Sequence, residues 1–230
     1  MTESEKPQLF DDWPEKYERW FTTPIGSLVK RVEWELVLDF LRPGPGDFIL
    51  DAGCGTGIFT EDMLSCGSRV VGLDLSLSML RRARQKARSS PLRILSADLL
   101  HLPFPENSFD KAVSITALEF IPDGRKAVKE LFRVTSKGGT VVAATLNSLS
   151  PWAEGRREEG QKGHPLFSQA FFRSPGELAA LTPVKGETRT AVHFLKDENP
   201  ERAVRVEEEG RRKGLDTGAF LAARWTKPFD

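Results

Sequence analysis

The chain has 230 residues, of which 39% are hydrophobic and 29% are charged; this composition is typical of a folded, soluble protein rather than a disordered or disulfide-rich one. Its 33 Lys and Arg residues balance its 33 Asp and Glu residues, so no overall positive charge draws it to nucleic acid. No run approaches 18 apolar residues and the start, MTESEKPQLF, has no signal-peptide pattern, so we expect no membrane span and a cytoplasmic location.

The N-terminal part, residues 1–44, is predicted to form a helical cap. Pro14 can begin a short helix, followed after 24-PIG by an amphipathic helix over 27–41 that ends at 43-PGPG. One side of the first helix carries Trp13, Tyr17, Trp20 and Phe21. Such a row of aromatic side chains is typical of a helix that packs on the rest of the protein.

The central part, residues 45–147, alternates short apolar runs with helical ones. This alternation predicts a parallel sheet with helices on both faces, counted as β-α-β-α-β-α-β-α-β. The predicted strands are 48-FILDA, 70-VVGLDL, 92-LRILSA, 109-FDKAVSI and 140-TVVAATL. Ser76 can cap a helix over 76–90, and Asp123 can cap one that Lys137 and Gly138 close.

The C-terminal part begins with a polar segment dotted with aromatic residues, 148–173, which we interpret as a lid or insertion. Residues 174–230 then return to regular structure, with a short helix in 174-SPGELAALT and a strand in 187-ETRTAVHFL. A charged helix starts at 200-PERAV and a last strand lies in 217-TGAFLAARW. We therefore expect a single domain over 1–230.

The stretch 49-ILDAGCGTG places three glycines directly after a strand that ends in an acid. A glycine-rich turn before a helix lets a ligand approach backbone N–H groups and the positive end of the helix dipole, although a tight turn alone explains such a pattern equally well. Asp74 ends the next strand, where a carboxylate can accept both hydroxyl hydrogens of a ribose. Asp98 follows the third strand and can accept from a base amino group.

The spacing of the glycines bears on the kind of nucleoside. Dinucleotide binding favours G-x-G-x-x-G, whereas Ile58 occupies the sixth position of 53-GCGTGI. This substitution disfavours NAD(P) without excluding it, and the chain has no recognisable Tyr-x-x-x-Lys pair for hydride chemistry. An NAD(P)-dependent oxidoreductase stays an alternative.

Four motifs together resemble a known family: 49-ILDAGCGTG, 73-LDLS, 96-SADLLHLPFPENSFDKAVSITALEFIPD and 133-RVTSKGG. They closely resemble the class I S-adenosylmethionine-dependent methyltransferases, in the type 11 branch that includes ubiquinone/menaquinone C-methyltransferases. The resemblance implies a Rossmann-like three-layer α/β sandwich, with a mostly parallel seven-stranded sheet and a final antiparallel strand supplied by 217-TGAFLAARW. It also implies S-adenosyl-L-methionine as cofactor and S-adenosyl-L-homocysteine as product.

The same resemblance implies which residues hold this cofactor. Those around its methionine part would be Asp51, Gly53, Cys54, Gly55 and Gly57. Asp74 would hold the ribose hydroxyls, and Ile115 would begin the stretch to Glu119 near the reactive methyl. The adenine would lie between Leu75, Met79, Asp98 and Leu99.

Methyl transfer from a sulfonium needs alignment and, for some acceptors, a group that removes a proton. Glu119, after the fourth strand, is the first candidate base, with a solvent-exposed loop acid as the equal alternative. Tyr17 matches a Tyr or Phe that several family members fold over the cofactor, and ordinary packing is its alternative. His164 in the aromatic segment is a weaker catalytic candidate, since a lone loop histidine is usually only solvated.

No spacing of cysteines or histidines predicts a metal site. The spacing of Cys54 and Cys66 relative to His101, His164 and His193 matches no recognised metal-ligand pattern. The chain also lacks the set of cysteines that arsenite methylation would need. The chain also has 114-SITA where N-P-P-[YF] would indicate amide methylation of nucleic acid or protein.

We therefore expect a small-molecule acceptor that is apolar or aromatic. The residues that can wall its pocket are Trp13, Trp20, Phe21, Trp152, Phe167, Phe171 and Phe172. The protein is expected to be a monomer or homodimer. A non-catalytic S-adenosylmethionine-binding module is the remaining alternative.

Overall fold

A computed structural model describes residues 8–87 and 92–229, and it contains one seven-stranded sheet. The strands are β1 (Phe48–Ala52), β2 (Arg69–Asp74), β3 (Leu92–Ser96), β4 (Phe109–Ile115), β5 (Thr135–Leu146), β6 (Glu187–Ala191) and β7 (Phe220–Thr226). Their order is β3-β2-β1-β4-β5-β7-β6, and β7 runs antiparallel to both of its neighbours. The predicted mostly parallel sheet with a final antiparallel strand is therefore confirmed.

Eight described α-helices flank this sheet and are numbered in chain order. They are α1 (Pro14–Thr22), α2 (Pro24–Leu41), α3 (Ile58–Ser65), α4 (Leu77–Lys86), α5 (Gly124–Val134), α6 (Pro151–Gln161), α7 (Pro175–Ala179) and α8 (Pro200–Lys213). Two 3₁₀ turns lie at Leu118–Phe120 and Phe167–Gln169. No helix in the described ranges is long and apolar enough to cross a membrane.

Two hydrophobic clusters, one on each side of the sheet, form a three-layer structure. Successive strand residues alternate between them, as Ile49 and Leu50 or Val70 and Val71 do, because neighbouring side chains in a strand point to opposite faces. Helices α2, α3 and α8 contribute to the first cluster, and α5 and α7 to the second. Burial on both faces explains why the strands read as unbroken apolar runs.

Helix ends follow the predicted caps at two places. The Ser76 hydroxyl accepts a hydrogen bond from the Met79 backbone N–H at 3.3 Å, and the Asp123 carboxylate accepts one from Lys126 N–H at 2.9 Å. Helix α4 ends at Lys86, and residues 88–90 of the predicted helix lie outside the described residues, as do residues 1–7 of the predicted cap. Pro14 begins α1 as expected.

The prediction of a helix between the third and fourth strands is wrong. Residues 97–108, all of them described, form turns between β3 and β4. Pro103 and Pro105 lack the backbone N–H that a helix interior needs, and α5 holds the segment instead. The Glu130 carboxylate accepts from Leu102 N–H at 2.8 Å, and Arg133 donates to the Phe104 carbonyl at 2.7 Å.

Two boundaries also differ from the prediction. Helix α5 ends at Val134 rather than at Lys137 and Gly138, and β5 begins directly at Thr135. Gly138, with φ +77°, lies inside this long strand, near an irregularity in its pairing with β4. Helix α2 begins at Pro24 rather than at residue 27, because the Thr23 side chain accepts from Gly26 N–H at 3.1 Å and caps it there.

The segment 148–173, predicted as an irregular lid, contains a regular helix. Ser150 caps α6 by accepting from Ala153 N–H at 3.2 Å, and Pro151 takes the first helical position. The segment is tied back to the end of β4 through Phe171, whose N–H donates to the Glu119 carbonyl at 2.7 Å. This tie brings the segment close to the carboxyl ends of the parallel strands.

Candidate functional site

A cleft of about 270 Å³ opens where β1, β2, β3 and β4 end, close in size to ligand pockets of roughly 300–1,000 Å³. The predicted residues that line this cleft are Tyr17, Asp51, Gly53, Cys54, Gly55, Asp74, Leu75, Met79, Asp98, Leu99 and Ile115. Three carboxyl groups from the ends of successive strands thus face one cavity. This is the edge at which open parallel sheets bind ligands.

The three glycines after β1 each have a separate structural reason. All have left-handed φ angles, +81° at Gly53, +53° at Gly55 and +78° at Gly57, which an L-residue adopts only with strain. A Cβ on Gly53 would overlap the Cβ of Ala117, and one on Gly57 would lie 3.2 Å from the Cβ of Ala83. Gly55 lines the cleft, and a Cβ there would meet no protein atom within 4 Å.

Gly57 itself lies at the N-terminus of α3 and does not line the cleft. Its role is therefore to let the chain turn into the helix beside α4. Gly55 is the glycine whose missing side chain leaves room for a ligand. The sequence pattern alone does not distinguish these two reasons.

Asp74 is held in place by the glycine turn. Its two carboxylate oxygens accept from Gly55 N–H at 3.0 Å and from Ser76 N–H at 2.9 Å. Burial nevertheless raises the pKa of Asp74, and these backbone hydrogen bonds oppose the rise. A carboxylate fixed in this way still has lone pairs for hydroxyl donors in the cleft.

Asp51, from β1, is 2% exposed, and the Thr60 hydroxyl donates to it at 2.5 Å. Burial raises the pKa of Asp51 to about 7; the hydrogen bond from Thr60 opposes this rise and the nearby Asp74 adds to it. A cationic ligand group beside Asp51 would favour the ionised carboxylate. The cleft therefore presents clustered negative charge that a cation can neutralise.

The outer part of the cleft combines apolar walls with a polar group. Met79 and Leu99 are buried, whereas Leu75 is 48% exposed at the rim. Asp98 accepts from Leu100 N–H at 2.9 Å, and its second oxygen lies 3.4 Å from the His101 ring. Apolar side chains with one fixed acceptor between them suit a flat heterocycle with an amino group.

Tyr17 forms a wall of the cleft from α1. Burial is the largest cause that raises the pKa of its hydroxyl far above the usual range, followed by the carboxylate of Glu33, and a hydrogen bond with the Thr116 side chain opposes the shift. Thr116, a β-branched residue, has a left-handed φ of +49° directly after β4. Backbone strain of this kind is concentrated at functional sites.

Two of the predicted catalytic residues lie outside the lining of the cleft. Glu119 is 1% exposed, on the 3₁₀ turn after β4, so the exposed loop acid considered for it is wrong. Burial raises its pKa to about 7, opposed by hydrogen bonds from its own backbone N–H and from Thr145. Glu119 acts on the pKa of Tyr17, which does line the cleft.

His164 lies in the segment after α6, and its ring nitrogen accepts from the backbone N–H groups of Leu166 and Phe167 at 3.3 and 3.4 Å. Its ring also stacks on Phe167, with centroids 4.5 Å apart, and lies 5.6 Å from Trp13. This geometry organises the 3₁₀ turn at Phe167–Gln169. His164 does not line the cleft, so the structure gives no support to a catalytic role for it.

Several residues at the site were not foreseen from the sequence. The cleft is also lined by Leu9, Phe10, Ile58, Phe59, Phe120, Ile121 and Gln169, while Thr116 and Ala117 line it within the predicted stretch from Ile115 to Glu119. Glu33 and Arg156, which lie near Tyr17 and Glu119, had no predicted role. One signal was present: Glu33 interrupts the apolar side of α2 between Val32 and Leu36. No group of three or more His, Cys, Asp or Glu within 8–87 and 92–229 has the arrangement of a metal site.

Comparison with known proteins gives consistent matches. Residues 50–143 match the methyltransferase domain family. The chain is 36% identical over 176 residues to a demethylmenaquinone methyltransferase of Renibacterium salmoninarum, covering 75% of this chain and 73% of that protein. It is 40% identical over 181 residues to a malonyl-[acyl-carrier protein] O-methyltransferase of Erwinia pyrifoliae, covering 69% and 68%.

The fold has matches among solved structures as well. A methyltransferase from Thermotoga maritima superimposes with a TM-score of 0.70, covering 95% of this chain and 98% of that one. The two share 23% sequence identity, so this match speaks for the fold.

Proposed function

The chain belongs to the class I S-adenosylmethionine-dependent methyltransferases, and we propose that it transfers the methyl group of this cofactor to a small-molecule acceptor. The observation that carries the proposal is the cleft itself. Asp51, Asp74 and Asp98 line it from the ends of three successive strands, and the missing side chain of Gly55 leaves it open. The substrate is the part of the proposal that goes beyond the family.

The residues of the cleft fit S-adenosylmethionine. A Cβ on Gly55 would occupy the cavity, as expected where a ligand approaches the backbone closely. Asp51 and Asp74 supply negative charge for a molecule that carries a sulfonium and an ammonium group. The chemistry of the donors and the shape of the turn therefore agree with the cofactor that the family uses.

We assign the binding roles as follows. Asp74 would accept the ribose hydroxyls, while Asp51, Gly53, Cys54 and Gly55 would surround the methionine part. The adenine would lie among Leu75, Met79, Asp98 and Leu99, with Ile115 near the reactive methyl. When bound, the cofactor supplies an electrophilic methyl group that an acceptor displaces in line.

The protein's own contribution is to orient the reactants and exclude water. Tyr17 and Phe10 cover the cleft from the N-terminal part, and Phe10 packs edge-on against Phe120 with ring centroids 4.8 Å apart. Gln169 reaches the cleft from the segment after α6. Elements from both flanks of the fold thus close over one site, which favours transfer in a dry environment.

The acceptor side of the cleft is largely apolar. Ile58, Phe59, Phe120 and Ile121 line it beside Tyr17. The relatives named above act on demethylmenaquinone and on malonyl-[acyl-carrier protein], which supports an acceptor of either aromatic or acyl character. Glu119 as general base stays a prediction, tested by turnover of Glu119→Gln on an acceptor that must lose a proton.

The proposal is tested by thermal unfolding of the purified chain with S-adenosylmethionine, S-adenosylhomocysteine, NAD and NADP. A ligand at about 100 times its dissociation constant should stabilise the protein by roughly 2.7 kcal/mol. We expect the two sulfur nucleosides alone to do so. Stabilisation by NAD or NADP alone would contradict the assignment in favour of an oxidoreductase.

A variant and a turnover assay refine this test. Asp74→Ala should lose the stabilisation by both sulfur nucleosides, and an unchanged shift would show that the site lies elsewhere. Consumption of S-adenosylmethionine with an acceptor distinguishes an enzyme from a non-catalytic binding module.

A further inference from the structure

Beside the cleft, two buried acids and a half-buried arginine from different elements interact with one another. They are Glu33 of α2, Glu119 of the 3₁₀ turn and Arg156 of α6, and we call them the charged triad. Each acts electrostatically on at least one of the others. Buried charges are expensive unless they are paired, so an interior cluster of three needs an explanation.

Arg156 is held in place but not paired. Its guanidinium lies 5.1 Å from the centre of the Trp152 ring and 5.8 Å from that of Phe167, and these contacts fix its direction. The Nη1 atom is fully buried and has no hydrogen-bond partner in the part of the chain that the structure describes. A guanidinium N–H that is desolvated and unpaired indicates a missing acceptor.

The carboxyl groups of the two acids are only partly hydrogen-bonded. Glu119 accepts from the Thr145 hydroxyl at 3.1 Å through one oxygen, while its Oε1 atom is buried without a partner among the described residues. Glu33 is 8% exposed, and its carboxyl group makes no hydrogen bond within 8–87 or 92–229. By contrast, nearby Arg173 is satisfied, because it donates to the Leu118 carbonyl at 2.9 Å and to two further carbonyls.

The charged triad adjoins the cleft through Tyr17. The Tyr17 hydroxyl interacts with Glu33, Glu119 and Asp51, and the last of these lines the cleft. Tyr17 therefore stands between the cofactor site and the triad. None of the three triad residues lines the cleft, so a ligand in the cleft reaches them only if a neighbouring side chain such as Tyr17 moves.

We propose that the charged triad anchors a carboxylate of the methyl acceptor, with the carboxylate accepting a hydrogen bond from Arg156 Nη1 and lying against the carboxyl groups of Glu33 and Glu119. The inference rests on the proposed function and names its substrate class, an organic acid with an apolar body. The role of Glu119 is then to hold the substrate, not to remove its proton.

The charge balance favours a carboxylate over an amine. Burial raises the pKa of Glu33 to about 8 and that of Glu119 to about 7, so near neutral pH both acids are largely or partly protonated. Arg156 then leaves the cluster with positive charge, and a neutral carboxylic acid can donate a hydrogen bond. Among the other charged groups, Glu159 acts on Arg156 and Arg173 acts on Glu119, while Asp51 acts on the adjoining Tyr17.

Calorimetry on the full chain saturated with S-adenosylhomocysteine tests the proposal. The probes are acetate, benzoate and 3-phenylpropionate, each compared with its uncharged amide, and benzylamine represents a cation. We expect at least one carboxylate to bind at least tenfold more tightly than its amide and than benzylamine. No preference in any of the three pairs would overturn the proposal.

Variants locate the effect. Arg156→Gln should remove the preference for the carboxylate, whereas Arg157→Gln, at the exposed next position, should keep it. Retention of the preference in a folded Arg156→Gln variant would contradict the assignment. Arg156→Lys, which retains a cation, should keep part of the preference if the variant without charge fails to fold.

Proton uptake provides an independent readout. At pH 8.5 carboxylate binding should take up protons, because ionised Glu33 and Glu119 must be protonated to donate, and Glu33→Gln should reduce the uptake. Binding without uptake would argue against the two acids as donors. S-adenosylhomocysteine affinity is measured first, so failure of the proposed function appears there and is distinguishable from failure of the carboxylate anchor.

Discussion

Replacing Gly55 by alanine should weaken cofactor binding in addition to its effect on the fold. The φ angle of Gly55 is +53°, a Cβ there would meet no protein atom within 4 Å, and Gly55 lines the cleft. The variant therefore creates no clash in the unliganded protein. The added methyl group occupies space that a ligand lying against the turn would need.

The size of both effects can be worked out. Left-handed backbone at a residue with a Cβ costs about 1–2 kcal/mol, which lowers the melting temperature of a chain of this size by a few degrees. Forcing one extra methyl group into a packed contact costs about 1–3 kcal/mol. The second cost falls on the complex alone and corresponds to a dissociation constant roughly 5 to 150 times larger.

Gly214→Ala is the matched control. Gly214 has a φ of +63°, a Cβ there would also meet nothing within 4 Å, and it ends α8 away from the cleft. Both variants should lose similar stability without ligand. At a concentration about 100 times the wild-type dissociation constant, Gly214→Ala should keep a stabilisation of roughly 2.7 kcal/mol by S-adenosylhomocysteine.

The stabilisation of Gly55→Ala by S-adenosylhomocysteine then shows whether the ligand lies against the glycine turn. A tenfold loss of affinity reduces the ligand-induced stabilisation to about 1.4 kcal/mol, and a hundredfold loss reduces it to about 0.4 kcal/mol. If Gly55→Ala and Gly214→Ala show equal stabilisation by the ligand, the ligand does not lie against this turn. The assignment of the glycine loop would then be wrong.

Three further outcomes follow from the site. S-adenosylhomocysteine affinity should rise about tenfold from pH 6 to pH 8, because the ammonium group of this ligand favours the ionised form of Asp51, whose pKa is about 7. Calorimetry should show a flat profile for Asp51→Asn. Gly53→Ala should destabilise the chain by about 2–4 kcal/mol through its left-handed φ and overlap with Ala117, and Gly53→Ala combined with Ala117→Gly should recover part of this in denaturant unfolding. Tyr17→Phe should keep the affinity for S-adenosylhomocysteine within about threefold, because the ring still lines the cleft. It should lower turnover, because the contacts of the hydroxyl are lost; turnover equal to that of the wild type would leave the hydroxyl without a role.

The positions of the strands and of most helices along the chain could be predicted from the sequence because their signals are local. Pro14 at a helix start, Ser76 and Asp123 as caps, and unbroken apolar strands all act within a few residues. The helix expected between the third and fourth strands failed because side chains of α5 hold residues 97–108 in turns. That contact between distant parts of the chain is not visible in local periodicity.

The cofactor side of the site was easier to foresee than the acceptor side. Asp51, Asp74 and Asp98 each end a strand, so the parallel topology alone brings them to one edge. Arg156 of α6 and Glu33 of α2 come together only through tertiary packing, and neither belongs to a recognisable motif. Glu33 on an apolar helix side is the one local sign of that cluster.

The position of β7 has a consequence for how the chain is made. β7 separates β5 from β6 in the sheet, and β6 pairs only with β7 among the described strands. During synthesis from the N-terminus, β6 emerges without a partner, and β5 keeps an open edge until residues 147–219 and then Phe220–Thr226 have been added. Synthesis that stops before Phe220 would thus leave β5 with an open edge and β6 without a partner. Such unpaired strands are prone to aggregation.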